Sequence, residues 1–206
     1  MSSRLSGKTA IIIGSPSGLG RAIAHVYAQE GAQICCVDLY PSLRNAIDPT
    51  TGKADPFRNR IATGTPTREV LRETYGGRYI FVRADLTKAE NVERAVAACA
   101  KEFGRLDVIV NNASISIEST HVRPLRIHET AEDDYNKTMA VNAKGVFLGR
   151  KYAIRQMLQQ EPLPRSNGDR GWIINTASVQ GMVGYFGTRI YPIHIACTAF
   201  FVVTQS

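Results

Sequence analysis

The stretch Lys8–Asp38, KTAIIIGSPSGLGRAIAHVYAQEGAQICCVD, decides the fold. Thr9 to Ile13 is a short, largely β-branched apolar run closed by Gly14, the pattern of a strand buried on both faces of a parallel sheet. Gly14, Gly18 and Gly20 follow, and the helix they open, Leu19 to Gln29, carries Leu19, Ile23, Val26 and Tyr27 at helical spacing. Gly31 supplies its stop. A second apolar run, Ile34 to Val37, then ends on Asp38.

A dinucleotide's pyrophosphate needs backbone N–H groups that it can approach closely and the positive end of a helix. Glycines meet the first need because they lack a Cβ, and the helix N-terminus meets the second. Asp38 closes the second strand about 20 residues past the loop, where a carboxylate accepts hydrogen bonds from ribose hydroxyls and disfavours a 2′-phosphate. A glycine loop alone is a weak signal. Strand, loop, helix, strand and acid in register is a specific one and predicts a dinucleotide site.

Length and composition bound the rest. The 206 residues suit a single domain spanning 1–206 by the prior of about 150 residues per domain. The 44% hydrophobic and 21% charged content excludes disordered and fibrous classes. A net charge of +7 raises the question of nucleic acid, but the Lys and Arg residues are scattered with no interleaved stacking aromatics, so a solvated basic surface is the reading. Cys35, Cys36, Cys99 and Cys197 lack metal-ligand spacing, and no metal is expected. They read as core thiols of a reducing compartment. No run reaches the roughly 20 apolar residues of a membrane span, and the expected location is cytoplasmic.

Downstream, residues 39–77 read as a basic surface insertion containing one short helix, Arg68 to Tyr75, capped by Thr67 and ended by Gly76. Arg78 to Arg83 is the third strand and Asp85-Leu86 ends it. Thr87, with Glu90 as capping-box partner, starts a helix to Phe103. Leu106 to Val110 is the fourth strand and feeds Asn111-Asn112-Ala113-Ser114. His121 and His128 lie in an irregular loop. Ala131 to Gln160 is a long helical tract whose stripe, Tyr135, Met139, Asn142, Val146, Gly149 and Tyr152, is interrupted near Asn142 and Gly145. A polar Asn there is either hydrogen-bonded locally, breaking the helix, or turned toward a site. Gly171 to Asn175 is the fifth strand, followed by Thr176-Ala177-Ser178. This alternation predicts an α/β fold, a three-layer doubly wound parallel sheet of Rossmann type, incomplete at its C-terminal edge.

These motifs, in this order, resemble the short-chain dehydrogenase/reductases. Gly14-Ser15-Pro16-Ser17-Gly18-Leu19-Gly20 resembles their TGxxxGxG loop and Asn111-Asn112-Ala113-Ser114 their NNAG. Asp85 resembles their adenine-contacting acid, Val141-Asn142 their helix Asn, and Ile174 to Ser178 their serine strand. The resemblance implies hydride transfer between a nicotinamide cofactor and a small-molecule carbonyl or secondary alcohol. NAD is the expected cofactor and NADP the alternative, and a homo-oligomer is among the assemblies it allows. It assigns Gly14, Ser17, Gly18, Leu19, Gly20, Asp38, Asp85, Leu86, Asn112 and Ala113 to the cofactor, and Ser178, Tyr191 and Asn142 to catalysis. In that family a Lys four residues after the Tyr binds the nicotinamide ribose and lowers the Tyr pKa. Here that position is Ile195, and residues 192–206 form an atypical tail, which reads as truncation or alteration after about residue 191. Two functions follow: an oxidoreductase, or a catalytically silent dinucleotide-binding or interaction protein.

Overall fold

The structure is a computed structural model that describes residues 3–42, 65–123, 125–163, 168–181 and 190. Five parallel strands, β1 (Thr9–Ile13), β2 (Gln33–Asp38), β3 (Tyr79–Arg83), β4 (Val108–Asn111) and β5 (Trp172–Asn175), form one sheet in the order β3-β2-β1-β4-β5. Helices α1 (Gly18–Gln29), α2 (Thr67–Tyr75), α3 (Ala89–Phe103), α4 (Glu132–Met139) and α5 (Gly145–Leu158) make the crossovers. The doubly wound three-layer α/β architecture expected from the sequence is the one observed.

Because strand side chains alternate faces, one strand feeds two cores. Ile11, Ile13, Cys35 and Val37 pack with Val92, Val96 and Cys99 of α3 and Leu148, Tyr152 and Ala153 of α5. Ala10, Ile12, Ile34 and Cys36 pack on the opposite side with Ala24 and Ala28 of α1 and Leu71 of α2. The thiols belong to these layers: a hydrogen bond to Cys99, together with burial, pushes the Cys35 thiol well up, and burial pushes Cys36 up to about 12. Both are inert at neutral pH.

Three local expectations are corrected. Helix α1 turns only part of its large apolar stripe inward: Ile23 and Tyr27 pack on the core, Leu19 and Val26 are more than half exposed, and Gly20, Arg21, Ala24 and Ala28 are the fully buried residues. Small side chains let the helix lie close to the sheet. Thr67 and Thr87 cap nothing. Thr67 Oγ1 donates to the Ser15 carbonyl at 2.8 Å, and Thr87 bonds Asp85 while Lys88 takes the cap position. The end of the 39–77 tract is not a surface appendage, since α2 is the crossover between β2 and β3 with Leu71 fully buried. That burial is worth about 2 kcal/mol. The long helical tract is interrupted where expected, as two helices joined by a π turn, Ala140–Lys144. The extra residue of a π turn rotates the stripe, so α5 buries Leu148, Tyr152 and Met157 while Tyr135 of α4 is exposed.

Candidate functional site

At the carboxyl ends of β1 and β4 the chain leaves in opposite directions, to α1 on one face and toward α4 and α5 on the other. Such a switch point opens a crevice in a doubly wound sheet. Its floor is the contact between the glycine loop and the segment after β4. Gly14 adopts φ +83°, and a Cβ there would sit 2.8 Å from the Ala113 backbone. A Cβ on Gly20 would strike the Gly14 carbonyl and lie 2.7 Å from Asn112 Nδ2. These two glycines therefore allow the loop and the β4 segment to touch. Gly18 differs: at φ +51°, a Cβ would have nothing within 4 Å. It faces open space at the mouth of the helix.

The α1 N-terminus is unoccupied by its own side chains. Ser17 is the cap residue, extended at φ −151°, and makes no side-chain cap bond; no acid lies in the first turn. The Arg21 N–H donates to the Ser17 carbonyl at 3.1 Å, so the amides before it have no partner within the helix. Leu19 projects outward beside them. Asp38 ends the neighbouring strand, half-buried, its Oδ1 accepting from the Leu39 and Tyr40 N–H groups at 2.6 and 3.4 Å. Burial pushes its carboxyl above the ordinary 3.8, against those two hydrogen bonds. These features fit a dinucleotide: an open glycine, uncapped amides for a pyrophosphate, and an acid for the ribose.

On the other rim, Asp85 Oδ1 accepts from the Thr87 N–H and hydroxyl at 2.9 and 2.7 Å, closing a turn, and Leu86 is buried against Gly145. Asn112 Oδ1 accepts from the Thr176 hydroxyl at 3.1 Å, joining the end of β4 to the end of β5. Ser178 follows β5 half-buried, with Oγ accepting from the Gln180 N–H at 3.3 Å. Asn142 is buried in the π turn and is bonded to both backbone groups of Ile115. The bond is not a local one: its partner lies 27 residues away in the segment leaving β4. Tyr191, Ile195 and the tail 192–206 lie outside the described residues.

Several anchoring residues were not legible in the sequence. The buried Asn111 donates from Nδ2 to Asn175 Oδ1 at 2.9 Å; the two are register partners, and the signal was an Asn closing both strands. Glu118 Oε1 accepts from the N–H of the buried Ile190 at 2.7 Å. His121 Nε2 lies 3.0 Å from Asp134 Oδ2, tying the loop to α4, whereas His128 sits in the 3-10 turn Ile127–Glu129. Among the described residues no group of three His, Cys, Asp or Glu could hold a metal ion, and no helix is long and apolar enough to cross a membrane.

Comparison with known proteins gives the same picture. The short chain dehydrogenase family model matches residues 56–193. An uncharacterized oxidoreductase of Thermotoga maritima is 34% identical over 91% of this chain and 60% of its own length. Zerumbone synthase of Zingiber zerumbet is 30% identical over 91% of the chain and 58% of its own. The crystal structure of levodione reductase superposes with a TM-score of 0.71 at 26% identity, over 94% of this chain and 62% of that one. The chain thus spans about three fifths of the length of these relatives. Matching over most of its length, and carrying the glycine loop at the switch point of a parallel sheet, this chain belongs to the short-chain dehydrogenase family.

Proposed function

We propose that the chain binds NAD(H) across the crevice between the glycine loop and the β4 segment and is an oxidoreductase acting on a small carbonyl or secondary alcohol. The observation that carries this reading is the uncapped α1 N-terminus behind the open Gly18, with Asp38 at the end of the adjacent strand. Gly14 and Gly20 set the loop against Ala113 and Asn112, the α1 amides meet the pyrophosphate, and Asp38 accepts from the adenosine ribose and repels a 2′-phosphate. The cofactor, when bound, supplies or accepts the hydride.

Ser178 holds the substrate oxygen and Tyr191 passes the proton. Asn142 supports this side through Ile115. A phenol titrates near 10 when unperturbed, and Ile195 offers no cation where the family carries its lysine. Proton transfer is therefore slow: positioned acid–base catalysis contributes about 10²–10⁴-fold, and much of that factor is missing. Buried free thiols support a reducing, cytoplasmic setting.

Fluorescence titration with NADH and NADPH tests the reading. NADH is expected to bind, and more tightly than NADPH. Failure of either to bind below about 1 mM, the upper end of ordinary enzyme affinities, overturns it. A turnover screen over ketones and alcohols then reads the second half, with slow conversion expected.

A further inference from the structure

The glycine loop is held from behind by α2. Thr67, at the first position of that helix and 1% exposed, donates its hydroxyl to the Ser15 carbonyl at 2.8 Å across 52 residues of sequence. Arg21, in the first turn of α1 and 5% exposed, donates from a guanidinium nitrogen to the Thr65 carbonyl at 3.2 Å. Two side-chain bonds of opposite polarity, one buried and one partly buried, therefore stitch residues 65–67 to the loop and to the helix that the loop opens. Neither element supplies the other with a backbone bond here.

The position of the acceptor gives the stitch its consequence. Residue 16 is proline and has no N–H, so the peptide after Ser15 has a carbonyl as its sole hydrogen-bonding group. Ser15 is itself 1% exposed, and a buried carbonyl without a partner is unfavourable. Thr67 holds that carbonyl toward α2 and so fixes the plane of the Ser15–Pro16 peptide. From that plane the chain runs through the extended Ser17 into Gly18 and the uncapped amides of α1. Rotating it would move those amides.

We propose that Thr67 is a positioning residue of the dinucleotide site, acting through the Ser15 carbonyl, and that α2 is thereby part of the cofactor-binding machinery rather than only a crossover. This rests on the NAD(H)-binding reading above. A loop released from Thr67 populates the competent geometry for a smaller fraction of the time, and apparent affinity falls by that fraction.

Thr67→Val keeps the shape and removes the hydroxyl, Thr67→Ser restores the donor, and Leu71→Ala weakens the same helix from its buried face without touching Ser15. NADH affinity and Tm are measured for each. Thr67→Val is expected to bind NADH about tenfold more weakly, a competent fraction near one tenth. Thr67→Ser is expected to stay within about twofold of the parent. Leu71→Ala is expected to lose Tm with a smaller change in affinity. Parental affinity in Thr67→Val, or an equal loss in Leu71→Ala, overturns the proposal while leaving the dinucleotide reading intact. Absence of NADH and NADPH binding in the parent overturns both.

Hydrogen exchange on the parent gives a measurement independent of how the variants fold. NADH is expected to slow exchange in residues 65–75 as well as in the glycine loop. Protection confined to the loop counts against the role of α2.

Discussion

Asn142, in the π turn between α4 and α5, clasps Ile115 by both backbone groups: its Oδ1 accepts the Ile115 N–H at 2.8 Å and its Nδ2 donates to the Ile115 carbonyl at 2.7 Å. A planar amide here substitutes for a strand partner. The loop leaving β4 is thereby pinned to the helix layer one residue beyond Ser114. An Asn inside a helix usually disfavours it. Here the helix widens by one residue, and the side chain is aimed at the loop.

Removing that clasp is expected to show first in stability. Asn142→Ala leaves an N–H and a carbonyl of Ile115 without these partners, worth about 1–3 kcal/mol. Asn142→Asp keeps the acceptor but sets a carboxylate against the Ile115 carbonyl, so its loss should be larger at neutral than at acid pH. Urea midpoints check both. An Ala variant within about 0.5 kcal/mol of the parent, the range of an ordinary surface substitution, contradicts the assignment.

Cofactor choice should turn on Asp38. Repulsion between its carboxylate and a 2′-phosphate is on the order of 1–3 kcal/mol in a solvated cleft, about ten- to hundredfold in relative Kd. Asp38→Ala is expected to narrow the gap between NADH and NADPH chiefly by improving NADPH. A gap unchanged by the substitution removes Asp38 from specificity.

The same carboxyl sets a pH dependence with opposite signs for ligand and fold. Burial raises the Asp38 pKa, so the folded chain holds that proton to higher pH than the unfolded chain does. The stability it contributes is present below the unfolded value and lost as pH rises through the folded one. Binding runs the other way, since the ribose hydroxyls need the ionised acceptor. NADH affinity is expected to fall on acidification starting above the ordinary aspartate range, and Asp38→Asn should flatten the profile. An acid limb that survives Asp38→Asn assigns it to another group.

The loop glycines should separate into two behaviours. Gly14→Ala and Gly20→Ala press a methyl into the Ala113 backbone and the Gly14 carbonyl, where nothing can yield cheaply, so both should lose more than about 2 kcal/mol of stability. Gly18→Ala meets no atom within 4 Å and carries only the strain of φ +51°, about 1 kcal/mol. Its larger effect should be on dinucleotide affinity. Thermal melts beside NADH titrations give the comparison, and equal Tm losses at all three positions would contradict the distinction.

Glu118 should matter to the segment leading into Tyr191, proposed above as the proton donor. Its carboxylate accepts from the N–H of Ile190, the residue before Tyr191. Glu118→Ala is expected to destabilise by about 1–2 kcal/mol, as for a buried donor losing a charged acceptor. Glu118→Gln keeps a carbonyl acceptor and should recover most of that loss. If Gln is no better than Ala, the hydrogen bond to Ile190 is not what Glu118 contributes.

The sequence by itself determined the order of strands and helices, the glycine loop, the acid that closes β2 and the interruption at Asn142. Each is written locally, in a two- or four-residue periodicity, in a residue lacking Cβ, or in a polar side chain inside an apolar stripe. Tertiary structure alone decided what those side chains meet. Helical spacing marks a face of α1 but not which face turns inward, and close approach to the sheet favoured Ala24 and Ala28 over Leu19 and Val26. The hydroxyls of Thr67 and Thr87 had a local cap available and took other partners, Ser15 and Asp85. Ile115 lies 27 residues from Asn142, and Ile190 lies 72 from Glu118. Such pairs carry no sequence signal, because a hydrogen bond between distant segments is chosen only when strand order and layer packing have already brought the two together.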